Sequence, residues 1–178
     1  GARTVLSGGL IIAGIGMLIV YLISPLTYGV IMPALVLIGM GMGSLAIASA
    51  IIMASTPHEK AGSAAAVEES VYELGNVFGV AIIGSIAAAA YRNSLDIASF
   101  ASQGVTGELA KVSNESVIGA QAVSAQAGLS DLATKAVDAF NGSIAIASLA
   151  GAVMIITAAI IIFFMIPKSL DITEQQHE

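Results

Sequence analysis

Four long apolar segments alternate with polar ones along the chain. Each has the length and the scarcity of charge expected of a helix that crosses a membrane. They are Val5 to Ile23, Tyr28 to Ala54, Gly62 to Tyr91 and Ala139 to Ile166. At about 1.5 Å per residue the second segment is roughly 40 Å long, which exceeds a ~30 Å hydrocarbon core. That helix is therefore expected to tilt or to project from the membrane.

The polar segments predict how these helices connect. The turn SPLTY separates the first two, and Pro57 and Gly62 break the chain before the third. Residues 92–138 form a longer polar segment, for which a solvated loop with partial helix is the simplest interpretation and a gating or lid role the alternative. A short amphipathic helix before the last span is predicted by apolar residues at helical spacing: Leu129, Leu132, Ala133, Ala136, Val137 and Phe140.

Composition agrees with a membrane protein. Hydrophobic residues make up 57% of the chain and charged residues 10%, with a mean hydropathy of +0.93. Soluble domains have roughly 45–50% apolar and about 25% charged residues, so their polar surface could not cover this chain. The pattern and the composition together predict an all-α membrane protein with four transmembrane helices.

The same composition excludes several function classes. The chain has no cysteine and only two widely separated histidines, so no disulfide and no metal site is expected. The net charge is −6 and no basic run occurs, which argues against nucleic acid as a partner. A di-iron helix bundle needs Glu-x-x-His motifs on facing helices, a pairing that this sequence lacks. Without a phosphate-binding loop or a nucleophile constellation either, neither an enzyme nor a cofactor is expected.

Charge in the short segments predicts the orientation. Arg3, Lys60 and Lys168 fall on one side, which is assigned to the cytoplasm, whereas Arg92 falls on the other. Both ends are then cytoplasmic, residues 92–138 form an extracellular loop and residues 167–178 a cytoplasmic tail. The opening GARTVLSGG has neither Met nor a signal-peptide n-region, so we expect the C-terminal part of a longer chain.

The third span carries three acids, Glu68, Glu69 and Glu73. At about 100° per residue they share one arc of the helix with Tyr72 and Asn76. The opposite arc is apolar and consists of Val67, Val71, Leu74, Val77 and Phe78. If the helix enters the membrane near residue 63, Glu73 lies about 15 Å along it, near the midplane. A carboxylate at that depth should face a bundle interior or a water-filled cavity.

These acids predict competition between protons and cations. A carboxyl group removed from water favours its protonated form, and ionising Glu69 disfavours ionising Glu73 one turn away. An entering organic cation favours the charged form and displaces the proton, as antiport requires. Tyr72 could add cation–π contact and Asn76 a hydrogen bond. The alternative for the acids is pairing with a base on a helix outside this chain.

Glycines mark the expected helix-packing positions. Gly39, Gly41 and Gly43 form the run GMGMG in the second span, and Gly75 and Gly79 form a GxxxG in the third. Close packing is the simplest interpretation of the first run. The methionines near it, Met32, Met40, Met42 and Met53, offer an alternative, a pliable wall for varied apolar ligands.

Three motifs carry a resemblance to a known family. GMGMG in the second span, PHEKAGSAAA across the turn and YELGNVFGVAIIGSI in the third span cover about residues 39–86. Together they resemble the fourteen-helix drug:proton antiporters of the major facilitator superfamily, the EmrB/QacA drug-resistance branch. The acids in AVEESVYELG look most like the efflux pumps for quaternary ammonium compounds and cationic dyes. The opening GAR weakly resembles the end of the superfamily's basic cytoplasmic loop motif.

The resemblance implies a fold and a site. The four spans would be helices 11–14 of such a transporter, in the cell membrane and completed by its remaining N-terminal helices. Glu69 and Glu73 match positions where these pumps carry acids on helix thirteen, implicated in protonation and cation recognition, with Glu68 beside them. This chain differs from many members of the family in two respects. SLAIASA stands where many members have a proline after the helix-twelve glycines, and many members lack the helix-thirteen acids that this chain carries.

The resemblance therefore implies proton-coupled efflux of lipophilic mono- and dications such as quaternary ammonium antiseptics and dyes, with protons, cationic drugs and the bilayer as partners. One alternative is a proton-coupled secondary transporter of another small solute, such as an osmolyte, amino acid or dipeptide, with the same acids as proton sites. A second alternative, from another class, is a non-transport membrane subunit.

Overall fold

The computed structural model of the chain describes residues 1–23 and 25–166. The predicted tail, residues 167–178, lies outside the described residues. Within the described part, every regular element is helical. The seven α-helices there are α1 Ala2–Leu22, α2 Tyr28–Met42, α3 Leu45–Ala54, α4 Ala61–Ser94, α5 Gly107–Glu115, α6 Val117–Ala127 and α7 Ser130–Met165. Short 3-10 turns form at His58–Lys60 and Ile97–Gln103.

The prediction of an all-α membrane protein with four spanning helices is confirmed. Among residues 1–23 and 25–166, four helical segments are long and apolar enough to cross a membrane: Ala2–Leu22, Tyr28–Ala54, His58–Ser94 and Ser130–Met165. The second of these contains both α2 and α3, because the helix is interrupted at Gly43 and Ser44. There the Ser44 hydroxyl donates to the carbonyl of Gly41 at 2.7 Å, so the side chain competes with the backbone for its hydrogen bond.

The described residues divide into two compact units, and the first comprises those within 1–80 and 149–166. Its closest packing joins α1 to α2 across glycines. A Cβ atom on Gly16 would lie 2.7 Å from the carbonyl oxygen of Ala34, and one on Gly41 would lie 2.7 Å from the amide nitrogen of Ala13. Because neither position leaves room for a side chain, these two helix backbones approach closely, as small residues allow in membrane helices.

The second unit comprises residues 81–148 and has a hydrophobic core of its own. Phe100 from the 3-10 turn and Leu132 from α7 are almost wholly buried in it. The core is built from Tyr91, Leu95, Phe100, Val105, Ala120, Val123, Leu132, Ala136 and Ala139. Glycines with positive φ, Gly104 at 90° and Gly128 at 69°, end the 3-10 turn and α6 where other residues would be strained.

The long polar segment is thus more helical than the sequence predicts. Its amphipathic stretch forms the first turns of α7 and continues without a break into the last span. Leu132, Ala136 and Ala139 from that stretch are buried, whereas Val137 and Phe140 are exposed. The two helices that the pattern does not predict, α5 and α6, are short, with 9 and 11 residues.

Candidate functional site

The acid-bearing helix α4 begins directly after a tight turn. Pro57 precedes the 3-10 turn at His58–Lys60, and the Lys60 amide donates to the Pro57 carbonyl at 2.8 Å. The Ser63 hydroxyl then donates to the Lys60 carbonyl at 2.9 Å, in the first turn of the helix. From Ala61 the helix runs without interruption to Ser94. The residues between 67 and 80 therefore keep a regular helical spacing.

Glu69 and Glu73 lie one turn apart on this helix, and both side chains are exposed. Tyr72 and Asn76, the other predicted cavity residues, are exposed as well. The opposite arc is just as open, since Val67 has 63% of its surface exposed. Within residues 1–23 and 25–166, no other side chain forms an ion pair with the three acids. The predicted site is thus a carboxylate-bearing helix face that the described residues leave uncovered.

Glu68 differs from the other two acids. It is half-buried and lines a groove of about 520 Å³ between the end of the second span and the start of α4. Most of the groove wall is apolar, and its lining includes Ile52, Thr56, Lys60, Val67, Glu68 and Val71. The structure therefore places Glu68 with residues of the apolar arc, away from Glu69 and Glu73. Sequence projection puts it at the edge of the polar arc and does not reveal this neighbourhood.

The predicted packing glycines have different surroundings. A Cβ atom on Gly41 would meet α1, whereas one on Gly39, Gly75 or Gly79 would have no neighbour within 4 Å. On Gly43 it would lie 3.3 Å from the Met40 carbonyl of its own helix. Of these five glycines, only Gly41 therefore joins two helices among the described residues.

The partners of Gly41 on α1 are not among the predicted packing positions. Those partners are Gly9 and Ala13. Two further glycines of α1 also pack closely outside the predicted positions: a Cβ atom on Gly16 would lie 2.7 Å from the Ala34 carbonyl oxygen, and one on Gly14 would lie 2.6 Å from the side chain of Ile156 in α7. The signal was present in the sequence, because Gly9, Ala13 and Gly16 follow one another at helical spacing.

The described residues contain no group of three or more His, Cys, Asp or Glu side chains that could hold a metal ion. The carboxylates of α4 can bind and release protons and attract cations.

Comparison with known proteins shows similarity to a drug efflux pump. No protein family model matches the chain. Over 96 residues the chain is 38% identical to the multidrug efflux pump LfrA of Mycolicibacterium smegmatis. The aligned part is 53% of this chain and 19% of LfrA, so the match spans about a fifth of that relative. The similarity supports a relationship to drug efflux transporters.

Proposed function

We propose that this chain is the C-terminal part of a proton-coupled multidrug exporter, from the fourteen-helix branch of the major facilitator superfamily. Its substrates are lipophilic mono- and dications such as quaternary ammonium antiseptics and dyes. The observation that carries the proposal is the pair Glu69 and Glu73, one turn apart on an uninterrupted membrane-length helix without a cationic partner among the described residues. The similarity to a multidrug efflux pump supports the export of drugs.

The two acids bind a proton or a cation in turn. A carboxyl group held away from water favours its protonated form, and a neighbouring carboxylate strengthens that preference. When a lipophilic cation enters, its positive charge favours the ionised form and a proton leaves. Release of the cation on the other side of the membrane lets the acids take up a proton again. Proton uptake on one side and release on the other thereby drive export.

The acid face of α4 is exposed and needs a covering within the membrane. Charged groups in a membrane face a protein interior or a water-filled cavity. We therefore assign the covering of the acid face to the remaining N-terminal helices of the same transporter in the cell membrane. Tyr72 and Asn76 line the resulting cavity, while Glu68, in its separate groove beside Lys60, binds protons or cations with a role distinct from the pair. Both ends of the chain lie in the cytoplasm.

The test uses the full-length transporter reconstituted in liposomes. An imposed pH gradient should drive a cationic dye across the membrane, and Glu69→Gln or Glu73→Gln should remove most of that transport because one exchangeable carboxyl group is lost. Glu59→Gln is the matched control, since Glu59 is an exposed acid in the turn before α4. Dye transport that ignores the pH gradient in the unaltered protein, or survives both substitutions on α4, would contradict the proposal.

A further inference from the structure

A cleft of about 340 Å³ opens in the unit formed by residues 81–148. The end of α4, the corner between α5 and α6, and α7 form its walls. Its lining includes Ala87, Tyr91, Glu115, Val117, Ile118 and Phe140. The volume lies within the range of small-molecule sites, roughly 300–1,000 Å³. No residue of this cleft belongs to the predicted acid site on α4.

The chemistry of the lining selects one class of ligand. Glu115 is exposed and is the one carboxylate in the wall, while Phe140 and Tyr91 supply aromatic rings. A carboxylate attracts a cation and repels an anion, and aromatic rings attract cations through their electron-rich faces. The rest of the wall is chiefly alanine, valine and isoleucine, which suits an apolar substituent. A lipophilic organic cation can contact the carboxylate, the aromatic rings and the apolar wall at the same time.

The walls of this cleft are held in place before any ligand arrives. The Ser116 hydroxyl accepts a hydrogen bond from the Gly119 amide at 3.0 Å and so caps α6 at the corner. A Cβ atom on Gly119 would lie 2.8 Å from Cγ1 of Val112, which shows how tightly α5 and α6 cross there. The Tyr91 hydroxyl donates to the Ser113 carbonyl at 3.0 Å and ties α4 to α5. A preformed site loses less free energy to ordering when a ligand binds.

We propose that this cleft is a second binding site for lipophilic organic cations, separate from the acids on α4. The inference rests on the proposed function, because it takes the transported class of cation as the ligand. Glu115 supplies the charge recognition, Phe140 the aromatic contact and Ile118 part of the apolar surface.

The test is photo-crosslinking in the full-length transporter. p-Benzoylphenylalanine in place of Ile118, which is 75% exposed, puts a photoreactive group at the cleft without removing a core side chain. The probes are benzyltrimethylammonium and its uncharged carbon analogue neopentylbenzene, and mass spectrometry of the protein measures labelling. We expect the cation to label more than its analogue. Glu115→Gln should lower cation labelling about threefold to fivefold, as for an exposed charge pair.

Glu108→Gln is the matched control, because Glu108 is an exposed acid on the same helix outside the cleft. It should leave labelling unchanged.

Phe140→Leu gives a second test that does not depend on Glu115, since it removes the ring but keeps an apolar side chain. It should lower labelling by the cation about twofold to fivefold and leave labelling by neopentylbenzene as it was.

Equal labelling by the two probes, or equal labelling in Glu115→Gln and Glu108→Gln, would overturn the second site. Loss of labelling in the double variant Glu69→Gln/Glu73→Gln would also overturn the second site, because binding in the cleft would then depend on the acids of α4. Persistent labelling in that double variant supports it. Failure of the proposed function can be distinguished from failure of the second site. It is measured as dye transport that does not respond to the pH gradient, and that measurement needs no labelling of the cleft.

Discussion

Tyr91 joins two helices within residues 81–148 through a single hydrogen bond. Its side chain is only 4% exposed, and its hydroxyl donates to the carbonyl of Ser113 at 3.0 Å. Ser113 is among the last four residues of α5, whose carbonyls have no partner within their own helix. Tyr91→Phe removes the hydroxyl and keeps the ring. The substitution therefore tests the hydrogen bond without opening a large cavity.

The expected loss follows from the burial of the pair. An ordinary intramolecular hydrogen bond contributes a net ~0.5–1.5 kcal/mol, but a buried acceptor left without a partner costs about 1–3 kcal/mol. Because Tyr91 is buried, water does not readily replace its hydroxyl. The free energy of local opening should fall by about 1–3 kcal/mol, equivalent to about a 5- to 150-fold change in the opening equilibrium.

Hydrogen exchange of the full-length transporter in lipid nanodiscs measures this opening. Amides of α5 should exchange about 5- to 150-fold faster in Tyr91→Phe, because they exchange when that part of the unit opens. Tyr72→Phe is the control, since Tyr72 is 58% exposed, and it should leave α5 unchanged. If α5 exchanges at the same rate in Tyr91→Phe as in the unaltered protein, the hydrogen bond does not hold the two helices together.

Two further substitutions test the helix packing and the acid pair. Gly41→Ala should destabilise the folded protein by about 1–3 kcal/mol, because its new Cβ atom would lie 2.6 Å from that of Ala13. Gly39→Ala, where the same atom meets no neighbour, should not lower the melting temperature, and an equal loss in both would refute close packing at Gly41. Glu69→Gln or Glu73→Gln should reduce export of dications more than export of monocations, because two positive charges engage more carboxylates. Equal reduction in cellular efflux assays would count against that detail.

The spanning helices could be predicted because each is long and apolar. The break between α2 and α3 was harder to predict, since Gly43 and Ser44 lie within an apolar run that is long enough to cross the membrane as one helix. At the break the Ser44 hydroxyl bonds to the carbonyl three residues earlier and competes with the helical backbone. Ser44 is also buried, and burial is not a property of the local sequence.

The unit at residues 81–148 was predicted only in part. The buried stripe of Leu132 and Ala136 recurs at helical spacing and so could be read directly from the pattern. The rest of the core includes Phe100 and Val105, whose segment shows no sustained helical periodicity along the chain. They are buried because distant segments come together over them, and hydrophobic periodicity within one segment contains no information about such contacts.

The candidate site, like the unit at residues 81–148, could be predicted from the sequence only in part. The spacing of Glu69 and Glu73 places them one turn apart on any uninterrupted helix, so their arrangement could be predicted from the sequence. The groove around Glu68 could not, because Ile52 reaches it from α3 and Thr56 from the turn that follows α3. The packing of one segment against the next decides which acid shares an apolar wall.

Proton release on cation binding is the direct measure of competition between protons and cations at Glu69 and Glu73. Purified full-length transporter in weak buffer receives a cationic dye, and a pH indicator records the protons released. We expect proton release from the unaltered protein and from Glu59→Gln, and clearly smaller release from Glu69→Gln and Glu73→Gln. Dye binding without proton release from the unaltered protein would contradict competition between proton and cation at these acids.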